Sequence, residues 1–173
     1  RHLLDVAGDT GGMAIRLCEA NSRLKVTILD FPNVVALGKQ KVREAGLGDR
    51  ISFLSGNALT TAWPDDVDAV LMSYLLSGVP EQEIPELFER AFRVMQPACL
   101  LIVHDFMVDD DRQGPALAAL WQLQHLAFTP EAASLTPAAI SQGIAAAGFG
   151  DIETFNMIPG MTRVVVGRKT GGA

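Results

Sequence analysis

The segment Asp5-Val6-Ala7-Gly8-Asp9-Thr10-Gly11-Gly12 joins two unlike hydrophobic patterns. His2–Val6 before it reads as a strand, and Gly12–Ala20 from its end reads as a helix. Glycines between a strand and a helix let the backbone turn tightly and approach a ligand closely at the carboxyl edge of a sheet. The segment lacks the G-x-G-x-x-G of a dinucleotide fingerprint, and no Lys-Ser/Thr pair of a phosphate loop follows it. Asp9 stands inside the turn and would repel a pyrophosphate, so a cationic or zwitterionic ligand suits the turn better.

Outward from this turn, short apolar runs alternate with amphipathic stretches. The runs Lys25–Leu29, Ile51–Leu54, Ala69–Ser73 and Leu100–His104 read as further strands, rich in Val, Ile and Leu as expected of strands covered on both faces. Val34–Ala45 and Ile84–Met95 read as helices between them; in the second, Ile84, Leu87, Phe88, Ala91 and Met95 share one face. Pro85 fits the first turn of that helix, and Pro97 is expected to stop it. After a polar loop at Asp109-Asp110-Asp111-Arg112, Pro115–Phe128 reads as a helix carrying Trp121 and His125. Thr136-Pro137 looks like an N-cap followed by Pro at the first helical position, and Gly148 ends that helix. The runs Asp151–Ile158 and Thr162–Gly167, separated by Pro159-Gly160-Met161, are too close to be anything but antiparallel neighbours. The pattern predicts an α/β fold, a doubly wound parallel sheet ending in an antiparallel hairpin, with a disordered tail at Thr170–Ala173.

Composition narrows the function. The chain has 173 residues, 49% hydrophobic and 20% charged, which fits one domain over residues 1–173. Its formal net charge of −6 argues against nucleic acid or an anionic membrane as partner, because both need a cationic footprint. No run approaches the roughly 18 apolar residues of a membrane span. Cys18 and Cys99 cannot form a disulfide framework or a Cys/His metal site, so a reducing cytoplasm is expected. The start at Arg1, entering a strand at once, reads as a piece of a longer protein.

Three polar residues end or flank strands on one edge. Asp30 can accept hydrogen bonds from both hydroxyls of a ribose. Asn57, in Gly56-Asn57-Ala58, offers a donor and an acceptor to a purine. Asp5 stands at the Gly-rich turn itself. Each alone reads as a strand-terminal turn residue; the three together favour a nucleoside.

With these landmarks the sequence resembles a class I S-adenosylmethionine-dependent methyltransferase, and more narrowly the catalytic domain of the small-molecule O-methyltransferase family of bacteria and plants. The resemblance is carried by Leu4–Gly11, Thr27–Pro32 with Val34-Val35, Ala45–Arg50, Ser55–Asn57, Asp68–Pro80 and Ala145–Phe149. It implies a Rossmann-like sheet, S-adenosylmethionine as cofactor and a small-molecule acceptor. It also implies a homodimer formed through an N-terminal helical region absent from these residues. By matching position it assigns Asp5, Gly8 and Gly11 to the methionine end of the cofactor, Asp30 to the ribose, Phe31, Asn57 and Ala58 to the adenine, and Ser73 to the passing chain. The family usually has Asp where Asn57 stands, and Gly where Ala7 and Asp9 stand.

The acceptor side departs further. Family members that methylate phenols carry a Leu-His-Asp-Trp segment whose His is the base; here it reads Leu76-Ser77-Gly78-Val79. The positions of the two flanking glutamates match His104 and Ser134. A phenol of pKa about 10 needs a base, whereas a thioether sulfur attacks without losing a proton. The expected acceptor is therefore a thioether, as in the S-methyltransferases acting on a methylthio-hydroxy acid that the family includes. The alternative is a hydroxyl, with His104 or His125 as base and Trp121, His125 and Phe128 lining the acceptor pocket. Two other classes compete: a methyltransferase-like domain that no longer holds cofactor, and a nicotinamide oxidoreductase, which the missing G-x-G-x-x-G disfavours.

Overall fold

The alternation of apolar runs and amphipathic stretches builds a single seven-stranded sheet with helices on both faces, seen in a computed structural model that describes residues 1–65 and 67–171. The elements are β1 (His2–Val6), α1 (Gly12–Ala20), β2 (Lys25–Asp30), α2 (Pro32–Glu44), β3 (Ile51–Ser55), β4 (Val67–Ser73), α3 (Ile84–Val94), β5 (Met95–Asp105), α4 (Ala116–Leu126), α5 (Pro137–Ala146), β6 (Phe149–Ile158) and β7 (Thr162–Lys169). The strand order is β3-β2-β1-β4-β5-β7-β6. The first five strands are parallel, and β7 runs antiparallel to both β5 and β6. The order reverses between β1 and β4, which opens a crevice at their carboxyl ends where α/β sheets bind ligands.

Alternation along the strands divides the core into two layers. Leu4 and Val6 of β1 join Leu87 and Phe88 of α3 and Ile140 and Ile144 of α5 on one face. Leu3 of β1 joins Val26 and Ile28 of β2, Ala14 and Cys18 of α1 and Val42 of α2 on the other. Fully burying each large aliphatic or aromatic side chain contributes about 1.5–3 kcal/mol, so both layers hold the sheet rigid beneath its carboxyl rim. Asp5 shares the Leu3 face by the two-residue period of a strand, and this directs its carboxyl under the Gly-rich turn.

The expected elements are present with shifted ends. Thr136 caps α5 by accepting the Ala139 N–H at 3.1 Å, as the Thr-Pro pair predicts. Met95, assigned by sequence to the third helix, instead starts β5 and pairs with Val67 of β4. A register shift between Val67 and Ala69 absorbs the irregular step at Pro97-Ala98, where Ala98 takes a left-handed backbone (φ 68°). Pro97 thus stands inside an irregular strand rather than behind a helix. Two short 3₁₀ turns, Leu76–Gly78 and Glu81–Glu83, fill the segment after β4 that carried no periodic signal. Of the expected disordered tail, Gly172 and Ala173 lie outside the described residues; the Thr170 hydroxyl donates to the Gly148 carbonyl at 3.0 Å.

Candidate active site

A cavity of about 310 Å³ opens at the reversal point, lined among others by Ala7, Asp30, Phe31, Asn57, Ala58, Tyr74 and Gly78. Its floor is the turn between β1 and α1. Gly11 there is left-handed (φ 89°), and a Cβ on Gly8 would lie 2.6 Å from the Asp5 carboxyl, so only glycine lets the turn close over that side chain. Asp5 is 1% exposed, and neither of its carboxylate oxygens has a hydrogen-bond partner. Burial, reinforced by the charge of Asp30, raises its pKa to about 7.

Two residues of the turn adopt glycine's conformation without being glycine. Ala7 (φ 57°) and Asp9 (φ 51°) both sit in the left-handed region, which costs an alanine about 1–2 kcal/mol. Ala7 stands where the family usually has Gly, and the backbone makes that departure a strained one. Part of that cost is offset because glycine loses more chain entropy on folding. Ala7→Gly is therefore expected to stabilise the protein by about 0.5–1 kcal/mol, raising Tm by about 1–4 °C in a thermal melt. An unchanged or lower Tm would show that the turn carries no such strain.

The second wall comes from β2. The Asp30 carboxylate accepts the Asp9 N–H at 2.8 Å and the Phe31 N–H at 2.7 Å, one on each oxygen. Each oxygen keeps a further lone pair, so the side chain is oriented by the backbone and still able to accept two hydrogen bonds from a ligand. Phe31, half exposed, and Ala58 offer apolar surface beside it. Asn57 accepts the Leu59 N–H on its side-chain oxygen at 2.8 Å, which leaves the amide NH₂ for a ligand. Asp30 lines this end of the cavity, with Asp9 in the adjoining turn and Asp5 buried beneath that turn, so the end is acidic.

The opposite end is aromatic. Tyr74, which sequence reasoning passed over, follows β4 directly with a left-handed backbone (φ 57°) and lines the cavity. Its ring lies 4.6 Å from His104, 5.3 Å from Phe106 and 6.0 Å from Trp121. Burial and the nearby Asp105 charge push its hydroxyl pKa up. The signal was available: it is the chain's single tyrosine, at a strand end on the ligand edge.

The structure does not bring Ser73 or His104 to this cavity. The Ser73 hydroxyl pairs with His104 Nδ1 at 2.9 Å, and His104 Nε2 pairs with the Thr162 hydroxyl at 3.0 Å. His104 is 3% exposed, and burial lowers its pKa. With both nitrogens engaged across β4, β5 and β7, it ties strands together beneath Tyr74. Phe128 is likewise no pocket wall here: it is 80% exposed beyond the end of α4. The carboxylates of the acidic loop tie it to its surroundings. Asp109 pairs with Arg163, Asp110 accepts the Ala138 N–H, and Asp111 accepts the Gln113 N–H.

A buried polar network joins the loop after β4 to α4. The Trp121 indole N–H donates to the Ser77 hydroxyl at 3.1 Å, and the Ser77 N–H donates to the Asp105 carboxylate at 3.1 Å. Asp105 also accepts the Phe106 N–H at 2.8 Å. Burial raises the Asp105 pKa, opposed by these bonds and by His125. Trp121 stacks on Phe106 at 4.3 Å and lies 4.9 Å from the His125 ring. Sequence reasoning placed Trp121 and His125 on one helix face, and they do share it; the role of Ser77 and Asp105 in holding that face could not be read from spacing.

Residues 1–150 match a family described as the O-methyltransferase domain. The chain is 29% identical over 170 residues to 3-hydroxy-5-methyl-1-naphthoate 3-O-methyltransferase of Streptomyces sahachiroi, covering 98% of this chain and 49% of that protein. It is 31% identical over 163 residues to the L-tyrosine C(3)-methyltransferase of Streptomyces lavendulae, covering 92% of this chain and 44% of the relative. The structure of human N-acetylserotonin methyltransferase, solved in complex with S-adenosylmethionine, superposes with a TM-score of 0.88 at 25% identity, covering 98% of this chain and 48% of that one. The chain thus spans about half the length of these relatives. With the class I methyltransferase sheet and the crevice at its reversal point already in place, the match over residues 1–150 settles the family: this chain belongs to the O-methyltransferase domain family.

Proposed function

We propose that the protein is an S-adenosylmethionine-dependent methyltransferase acting on a hydroxyl of a small molecule. The observation that carries this reading is the Asp30 carboxylate, fixed by two backbone N–H groups with a lone pair left on each oxygen, at the mouth of a cavity whose floor is acidic and whose side is apolar. These residues fit the cofactor. Asp30 would accept both ribose hydroxyls, while Phe31, Ala58 and the Asn57 amide would flank the adenine. The acidic end of the cavity, with the unpartnered Asp5 carboxyl under Gly8, suits the positively charged methionine part. When bound, S-adenosylmethionine supplies an electrophilic methyl group on a sulfonium. The chain's own part is to orient the acceptor, exclude water and take up the acceptor's proton.

A second reading, a thioether acceptor, is favoured by Ser77 standing where the family's usual base would be. A homodimer, a cytoplasmic location and a further N-terminal region remain proposals that follow from the family. The first test is calorimetry with S-adenosylhomocysteine on the full-length protein. Micromolar binding is expected, followed by release of that product when S-adenosylmethionine is supplied with 1-naphthol. An absence of binding heat would mean that the domain has lost its cofactor and would end both readings.

A further inference from the structure

We infer that the base for acceptor deprotonation is His125 on α4, packed against the cavity-lining Gly78. This rests on the methyltransferase reading above and specifies its acceptor as a weakly acidic hydroxyl. Ser77 cannot act as base there: its hydroxyl accepts the Trp121 indole N–H and it lies buried, 1% exposed. His104 cannot either, because hydroxyl groups occupy both its nitrogens. His125 is different in kind.

Its Nδ1 lies 3.1 Å from the Trp121 carbonyl oxygen, one helical turn back. A carbonyl can only accept, so Nδ1 carries the proton and Nε2 carries the free lone pair. That lone pair is what a general base requires. The ring edge bearing Nε2 faces Gly78, which lines the cavity: a Cβ built on Gly78 would stand 3.6 Å from Cδ2 and 3.9 Å from Nε2 of His125. Gly78 carries no side chain, so the imidazole edge lies directly against the backbone that lines the cavity. The ring itself is held by Trp121, and Trp121 is held by Phe106 and Ser77.

The groups facing this imidazole are Asp105 on β5, whose charge interacts with it, and the aromatic side chains Trp121 and, beyond it, Tyr74. The charge of Asp105 steadies the imidazolium that forms. The step balances as follows. The acceptor oxygen gives its proton to Nε2 and an electron pair to the methyl carbon, and the carbon–sulfur pair returns to sulfur. The positive charge passes from the sulfonium to His125, which releases the proton to solvent. A base absent from the loop after β4 is thus supplied by α4, packed behind that loop.

Two measurements on the full-length chain test this. Nitrogen-15 NMR of the labelled histidines, with His125 assigned from the His125→Gln spectrum, should show the proton on Nδ1 and a bare Nε2. The same variant should lose at least about a hundredfold in kcat with 1-naphthol and lose the acid limb of the pH–rate profile, while its affinity for S-adenosylhomocysteine changes by less than about twofold. With 4-nitrophenol, already ionised at pH 8, the loss should shrink below about tenfold, which a merely structural role would not produce. A proton found on Nε2, a variant that keeps its kcat and pH profile with 1-naphthol, or a wild-type chain that binds S-adenosylhomocysteine yet methylates a thioether and no phenol would each overturn the assignment. Failure of the wild-type chain to bind S-adenosylhomocysteine would instead strike the reading on which it rests.

Discussion

Asp30→Ala is expected to weaken S-adenosylhomocysteine binding by about a hundred- to ten-thousandfold. The carboxylate keeps one lone pair on each oxygen for the ribose, and a hydrogen bond to a charged acceptor contributes about 1.5–3 kcal/mol. Two such bonds lost together give that range at about 1.4 kcal/mol per tenfold. Alanine also leaves the Asp9 and Phe31 N–H groups without their acceptor, so the turn after β1 and the start of α2 loosen together. Asp30→Asn separates the two effects. It keeps the size of the side chain and one oxygen but presents an NH₂ where the other oxygen accepted, so it should recover about half of the lost fold stability and little of the affinity. Calorimetry on the three proteins decides the matter: an Asp30→Ala affinity within about threefold of wild type would mean that the ribose is held elsewhere.

The second large effect concerns Asp5 and pH. Its folded-state pKa of about 7 lies above the ordinary 3.8, because burial under Gly8 and the charge of Asp30 both disfavour the ionised form. Between those two values the folded chain holds this proton and the unfolded chain does not. Stability therefore falls as pH rises through the window and levels off above it. The contribution is on the order of 3–4 kcal/mol for a carboxyl displaced that far. Asp5→Asn removes this titration. Urea unfolding of both proteins from pH 4 to pH 8 should show the variant gaining on wild type by that amount across the window, whatever the fixed cost of burying the amide. A difference that stays constant to within about 1 kcal/mol would mean that Asp5 finds a partner or stays ionised. Saturating S-adenosylhomocysteine, which places an ammonium at this end of the cavity in the proposed function, should narrow the gap at pH 8.

How much of this was legible beforehand depended on the kind of signal. The strands follow from hydrophobic runs of the right length, and β7 beside β6 follows from a short connection that leaves only antiparallel pairing. Asp30, Phe31, Asn57 and Ala58 were readable as site residues because strand ends on one edge must converge there. His104 misled for the same reason. It too ends a strand on that edge, but hydroxyl partners on the two neighbouring strands, Ser73 of β4 and Thr162 of β7, draw both of its nitrogens inward. The strain at Ala7 and Tyr74 was hidden because backbone dihedrals leave no mark when the residue is not glycine. The Asp105–Ser77–Trp121 network spans three segments far apart in sequence, and no periodicity encodes such a meeting.

The position of β7 has a consequence for how the domain is made. It is the last strand of this sheet in chain order, yet it lies inside the sheet, with β5 on one side and β6 on the other. Until it leaves the ribosome, β5 keeps a bare row of backbone donors and acceptors, and β6 has no place in the sheet. A nascent chain halted within the hairpin would offer that open edge to any neighbouring strand, which is the usual route to aggregation. The sheet is thus complete only once β7 has paired with β5 and brought β6 in beside it.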